Sequence, residues 1–329
     1  MKKIISLILA LSVLTFALAS CSGSVIGAVN VVAEADHDVV VAHIAGGEID
    51  IAILPEPKAT VAINTAKAQG YNYSIKLNLS EEWNKISDEP LAMGCIVANK
   101  AFTQGNEKLI RDFLYEYKNS IEFIGNAENK AEAAQMIVDA KILPKLPIAT
   151  SALNNLYGSI VYSDGEEMEQ TLKAFYQAIG ITSPDDTFYY KADTNSTGNR
   201  SAKIRIAVMN GPTGMGMAKL MNDSQGETYE FITYDNPAKA TADLAAGTVD
   251  MACIPTNTAA VLANKSNDIS VISINCLGSL YVVVKDGVEI NSVADLIDKV
   301  VYYGVPSSTT EPIFKYILTK NKIELVNND

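Results

Sequence analysis

Apolar positions in this chain fall into short unbroken runs and stripes of helical period, and one combination of the two occurs twice. Residues 45–55 read AGGEIDIAILP and residues 245–255 read AAGTVDMACIP, so Gly47, Asp50 and Pro55 recur as Gly247, Asp250 and Pro255. Each copy follows a helical stripe, marked by Val40 and Ile44 in one and by Ala240 and Leu244 in the other. Glycine closes each helix because a left-handed C-cap suits a residue without a Cβ. An acidic residue and a four-residue apolar run follow, at 51–54 and 251–254, which is the pattern of a strand buried on both faces. Proline ends each strand. Ligands of open α/β sheets bind outside the carboxyl ends of such strands. Two copies therefore predict two α/β lobes, each a mostly parallel sheet flanked by helices, offering their strand ends to a shared cleft.

The same patterning predicts strands at 28–33, 73–79 and 91–98 with helices at 37–46 and 57–68. A helical stretch comes next, at 106–124, 127–140, 149–158 and 165–180, with Leu109, Phe113, Tyr117, Ile121 and Ile124 on one stripe. These helices read as an outer layer, and Tyr115, Tyr157 and Tyr176 as core or rim residues. Residues 191–202, KADTNSTGNRSA, are polar without periodicity and read as a linker. Strands follow at 203–209, 228–234, 248–254, 269–275, 280–285 and 299–305, with helices at 291–298 and 309–321.

Candidate chemistry lies in the loops after strands. Glu34-Ala35-Asp36-His37-Asp38 offers metal-ligand types, yet His37 and His43 are six apart and do not stack on one helical face. Asp36 or Asp38 as a helix N-cap is the plainer account. Asn210-Gly211-Pro212-Thr213-Gly214-Met215-Gly216 matches neither GxGxxG nor GxxxxGK[ST]. It reads as a turn that contacts ligand, with backbone N–H groups able to receive negative charge. Ser307, Ser308, Thr309 and Thr310 either cap the next helix or hydrogen-bond a polar solute.

Composition and the N-terminus narrow the setting. Lys2 and Lys3 precede an apolar stretch at 4–18, and Leu18-Ala19-Ser20-Cys21 resembles the lipobox of bacterial lipoproteins. The stretch is short for a spanning helix. Residues 1–21 are accordingly expected to be a lipoprotein signal, with Cys21 the acylated N-terminus of the mature chain. With Lys2 and Lys3 taken from the 26 basic residues, 24 remain against 38 acidic ones, a net charge of −14. That balance argues against a nucleic-acid partner. Cys95, Cys253 and Cys276 stand singly in apolar runs and read as buried thiols. No constellation of nucleophile, base and orienter is assembled, so the chain does not read as an enzyme.

The segments MNGPTGMGMAKLM, LAAGTVDMACIPTN, LGSLYVVV and VYYGVPSSTTEP within 203–329 resemble the first half of ABC-importer substrate-binding proteins. The type resembled takes up nitrate, sulfonate, taurine or thiamine precursors. IAGGEIDIAILPEP and LAMGCIVANKAF within 25–190 are similar to the second half of such proteins. The order departs from the family, since the tether-like linker stands between the halves and the lipobox runs into the second half. Joining Asp329 to Ser24 would bring the helix at 309–321 to the strand at 28–33. The chain therefore reads as a circular permutation, which termini close in space make tolerable. Natural permutation, gene rearrangement and misassembly give the same string.

This resemblance implies a two-lobed periplasmic-binding-protein type II fold, a Venus flytrap. One lobe is continuous, 96–282, and one is split, 25–92 with 287–329, with hinge strands at about 91–98 and 280–285. It implies a monomer without cofactor that delivers solute to a permease and its ATPase. By position, ligand contacts are expected from Asn210, Thr213, Gly214, Met215, Thr256, Asn257, Ser307, Ser308 and Thr309, with Asp36, His37 and Glu56 as second choices. A lipid-anchored sensor using the same cleft, or an enzyme of the branch that makes a pyrimidine precursor, are the other functions the fold family admits. Glu34, Asp36, Asp38, Glu56, Asp235 and Glu311 lie near strand ends, whereas Arg111, Arg200 and Arg205 lie in no predicted cleft loop. A small neutral or cationic solute, such as a heteroaromatic amine, is expected over sulfate-like anions.

Overall fold

The computed structural model describes residues 24–192, 203–224, 228–305 and 308–328. In chain order its strands are β1 (Gly27–Glu34), β2 (Ile51–Pro55), β3 (Tyr73–Asn78), β4 (Ala92–Asn99), β5 (Ile160–Ser163), β6 (Ile204–Met209), β7 (Tyr229–Tyr234), β8 (Met251–Pro255), β9 (Ile269–Leu277), β10 (Leu280–Lys285), β11 (Val300–Gly304) and β12 (Ile323–Asn327). They form two six-stranded sheets, ordered β12-β1-β11-β2-β10-β3 and β5-β9-β4-β8-β6-β7. The expected fold class, two α/β lobes with helices flanking the sheets, is the one observed; the first sheet is mostly parallel, and the second is mixed, with β4 and β5 antiparallel to their neighbours.

The two sheets share one plan. In the first, β1, β11 and β2 are parallel, and β10 lies antiparallel between β2 and β3. The second has β7, β6 and β8 parallel, with β4 antiparallel between β8 and β9. In each case the antiparallel strand is the one that has just arrived from the other sheet. The chain leaves the first sheet between β3 and β4 and returns at Gly278-Ser279, between β9 and β10. The crossing segments meet where the Gly278 amide donates to Leu91 O at 2.8 Å. Superposing the plans makes β6, β7, β8 and β9 equivalent to β11, β1, β2 and β3. The equivalent succession in the first sheet thus runs off the end of the chain and resumes at its start.

The apolar runs of the repeat are explained by burial on both faces. Ala52 and Leu54 of β2 pack under the helices His37–Ala45 and Lys58–Ala68 with Val40, Ile44, Ala59 and Ala62, while Ile51 and Ile53 face the opposite core. In β8, Met251 and Cys253 join one core and Ala252 and Ile254 the other. Gly47 and Gly247 adopt φ of 70° and 69°, the left-handed turn that the pattern predicts. Trp83 fills the joint between the lobes. Fully buried on the helix Leu79–Asn84, it stands 5.8 Å from the Phe175 ring of the second lobe and 4.7 Å from the Tyr316 ring of the first.

Some elements depart from the sequence-based expectations. The helix expected at 149–158 is Leu146–Asn155, begun by Pro147 in its first turn, where a missing N–H costs nothing. Only the 3-10 turn Val293–Leu296 forms at 291–298, closed by a reciprocal Ser292–Asp295 capping box. The helix Thr310–Lys320 does not pass directly to β1, because β12 intervenes and pairs with β1 in parallel. The Ile26 amide donates to Lys322 O and the Asn328 amide to Val31 O. The two described ends therefore lie about eight strand residues apart, on the order of 25 Å.

Candidate functional site

The carboxyl ends of the parallel strands converge on the joint. Glu56, directly after β2, donates its amide to Ser279 O at 2.9 Å in the crossing turn. After β6 the chain turns at Gly211, whose φ of 141° suits glycine; a Cβ there would lie 3.8 Å from Pro57 Cδ. The loop that begins at Asn210 thus faces the loop after β2 across the lobes.

Glu56 is the deepest charge-bearing group of this region, 1% exposed. Thr60 donates its hydroxyl to Glu56 Oε1 at 3.0 Å and its amide to Oε2 at 3.3 Å, closing the first turn of the helix Lys58–Ala68. From the other lobe, Asn155 Nδ2 donates to Glu56 Oε1. Ser151 Oγ lies 3.3 Å from Thr60 Oγ1, and the Tyr281 hydroxyl holds Asn155 by donating to its carbonyl at 2.6 Å. Every donor to the carboxylate among the described residues is neutral. Burial raises the Glu56 pKa above the ordinary carboxylate value, and the hydrogen bonds from Asn155 and Thr60 oppose that rise without cancelling it.

The loop after β1 is built on Asp36, whose Oδ1 accepts from the Val39 amide at 2.9 Å as the helix N-cap. Its neighbour His37 presents Nδ1 buried and without a partner among the described residues. Burial, then the Lys58 ammonium, lower its pKa to about 4, which leaves the imidazole neutral at pH 7. Lys58 pairs with Asp38 and so ties the loops after β1 and β2 together. Gly304, at the end of β11, lies so close that a Cβ would stand 2.5 Å from both the Asp36 carbonyl carbon and the His37 amide nitrogen. His43 belongs elsewhere, with its Nδ1 2.5 Å from Glu48 Oε2 and its Nε2 3.6 Å from Glu34. The two histidines therefore do not share a site.

The remaining sequence-predicted residues divide into exposed and enclosed. Asn210 is exposed and Thr213 half-buried. Thr213 is anchored through its carbonyl, which accepts from Asn275 Nδ2 at 2.8 Å. Gly214 allows the turn to close on β6, since a Cβ would meet Met209 O at 2.0 Å, and Met215 is fully buried in the second lobe's core. Thr256 is enclosed, donating its hydroxyl to Ala92 O at 2.7 Å while its carbonyl accepts from Tyr176. Asn257 is 8% exposed, and its Oδ1 accepts from the neighbouring Thr258 hydroxyl at 3.5 Å. Ser308 is half-buried with its Oγ accepting from the Thr310 amide at 3.3 Å, and Thr309 is buried. Ser307 and Cys21 lie outside the described residues.

Sequence reasoning missed Thr60, Ser151, Asn155 and Tyr281. Glu56 with Thr60 is spaced i, i+4 directly after a strand end, and that spacing was the available signal; Ser151 with Asn155 has the same spacing but on a helix with no strand end to mark it. The helix Leu146–Asn155, expected in an outer layer, instead brings the second lobe to Glu56. The described cysteines are buried thiols, with Cys253 and Cys276 pushed up to about 12 by burial. Among the described residues no helix is long and apolar enough to cross a membrane.

No protein-family model matches the sequence, and no curated protein matches it. Among solved structures the chain is similar to an ancestral arginine-binding protein bound to arginine, at 13% identity over 91% of this chain and 94% of that one, with a TM-score of 0.31. A phosphate-binding protein of a phosphate ABC transporter from Streptococcus pneumoniae matches at 11% identity over 79% and 76%, with a TM-score of 0.35. A histidine kinase sensor domain with similarity to periplasmic binding proteins matches at 9% identity over 90% of each chain, with a TM-score of 0.29. Superpositions this loose carry no residue correspondence.

Proposed function

We propose that the chain is an extracytoplasmic solute-binding lipoprotein of the periplasmic-binding-protein type. It captures a small polar or heteroaromatic solute, neutral or cationic, between its lobes and delivers it to an ABC permease and ATPase. Cys21 carries its lipid anchor, and it acts as a monomer without a cofactor and without catalysis. The observation that carries this reading is Glu56: a carboxylate buried where two lobes of one plan meet at their strand ends, with only neutral hydrogen-bond donors around it among the described residues. A buried anionic solute beside it would lack a counter-ion, whereas a cation or a strong N–H donor would complete the site. The continuous lobe, expected at 96–282, runs from β4 to β9, and the split lobe, expected at 25–92 with 287–329, takes β1 to β3 with β10 to β12; the two move about the crossings, and solute favours closure because it touches both only when they are shut. A circularly permuted order is supported by the equivalence of β6-β7-β8-β9 with β11-β1-β2-β3.

Calorimetric titration tests the assignment of the site. Glu56→Gln, and to a smaller degree Asp36→Asn, weaken binding of the solute that the protein carries. Tight binding of a sulfonate that is indifferent to both substitutions overturns the assignment.

A further inference from the structure

We infer that Glu56 gates closure: ionised and enclosed among neutral donors it opposes shutting of the lobes, and neutralising it, by a proton or by a cationic group of the solute, lets them shut. This rests on the two-lobe capture reading and adds what controls it.

The geometry ties burial of Glu56 to closure. Its carboxylate leaves the first lobe at the end of β2, and what covers it from the far side is the helix Leu146–Asn155 of the second lobe, through Asn155 and Ser151. Parting the lobes withdraws that helix and returns the carboxylate to water. Closing removes it again, to 1% exposure. Three neutral hydrogen-bond donors satisfy part of the carboxylate, but an ion taken from water without a counter-ion remains disfavoured.

Among the described residues none of the surrounding charged groups supplies that counter-ion. The helix Leu146–Asn155 carries no charged side chain, and neither do the crossing turn at 278–279 or the loop at 210–211. Lys58, two residues on, turns its ammonium to Asp38. Tyr281 on β10 stays protonated, its pKa raised by burial and by the Glu56 charge, and Glu81 on the helix Leu79–Asn84 adds further negative charge near Tyr281.

The sign of the pH effect follows from linkage. The carboxyl binds its proton more tightly when enclosed than when open to water, so closing takes up a proton and acidification favours the closed form. Closure of the solute-free protein therefore strengthens as pH falls from neutral into the ordinary carboxylate range and weakens as pH rises. A neutral isostere loses this dependence and closes at neutral pH without solute.

Small-angle X-ray scattering of the purified, solute-free protein from pH 8 to pH 4.5, for wild type and Glu56→Gln, reads the gate. In wild type the closed-to-open ratio rises on acidification, by up to about tenfold per pH unit for one linked proton. Glu56→Gln is compact already at pH 8 and lacks that component. Asn155→Leu, which removes the donor across the joint, gives a larger radius of gyration at pH 8. Identical pH profiles in wild type and Glu56→Gln, or a more open Glu56→Gln at pH 8, overturn the gate. Because the assay contains no solute, its failure leaves solute capture standing, and a working gate in a protein that carries no solute would sink capture alone.

Discussion

Alanine at Gly47 and at Gly247 separates backbone strain from crowding, because the two sites share a conformation and differ in surroundings. A left-handed conformation costs an L-residue about 1 to 2 kcal/mol. Loss of glycine's freedom in the unfolded chain offsets about 0.4 to 1 kcal/mol of that. At Gly247 an added Cβ meets nothing within 4 Å, so Gly247→Ala destabilises by about 0.5 to 1 kcal/mol. The same atom at Gly47 would stand 2.4 Å from Tyr71 Cε1. That ring is 38% exposed and swings aside, but it then leaves Lys285, whose ammonium lies 5.7 Å from its centroid. An exposed cation–π contact contributes about 0.5 to 1 kcal/mol, which places Gly47→Ala at about 1 to 2 kcal/mol. Urea titrations of the two variants beside wild type, followed by circular dichroism and by fluorescence of Trp83 at the joint, read the difference. Comparing midpoints within one series does not require the two lobes to unfold together. Coincident midpoints for the two variants, or a weaker Gly247→Ala, would refute the assignment of the extra cost to Tyr71.

Three further outcomes are expected. Because His37 titrates at about 4 in the folded chain against 6.5 unfolded, the unfolded chain binds more protons between those values, so stability present above pH 6.5 is lost on acidification; His37→Gln should flatten that slope in denaturation midpoints, and an unchanged slope would count against it. Cys21→Ala should move the protein from membranes to the soluble fraction, and full membrane retention of the variant would remove the anchor. Opening the chain before Lys203 and joining its old ends through a spacer of at least about eight residues should preserve fold and ligand, whereas a direct join should disturb the pairing of β12 with β1, seen as a lower melting temperature.

The strands were legible wherever burial acts on every residue. β2, β8 and β10 are unbroken apolar runs because cores lie on both sides of each sheet, and the repeated Gly-x-x-Asp marked the turns into two of them. β12 alternates only weakly and lies half-exposed at a sheet edge, and β5 has four residues, so neither leaves a pattern long enough to stand out. The candidate site was half legible. Glu56 follows a strand end and was within reach, as was the Asp36 cap. Ser151 and Asn155 were not, since a polar i, i+4 pair reads as a solvent face until another lobe is known to cover it. Thr256, named as a ligand contact, turns its hydroxyl onto Ala92 because the carboxyl end of β8 abuts the incoming strand β4, a pairing 164 residues apart that no local pattern carries.

Native mass spectrometry of the purified protein, followed by release and identification of what it carries, tests solute capture between the lobes most directly. One small neutral or cationic organic molecule per chain is expected, retained by wild type and depleted in Glu56→Gln. An anionic solute held equally by both, or a wild-type chain that carries and binds none, would contradict capture at this site.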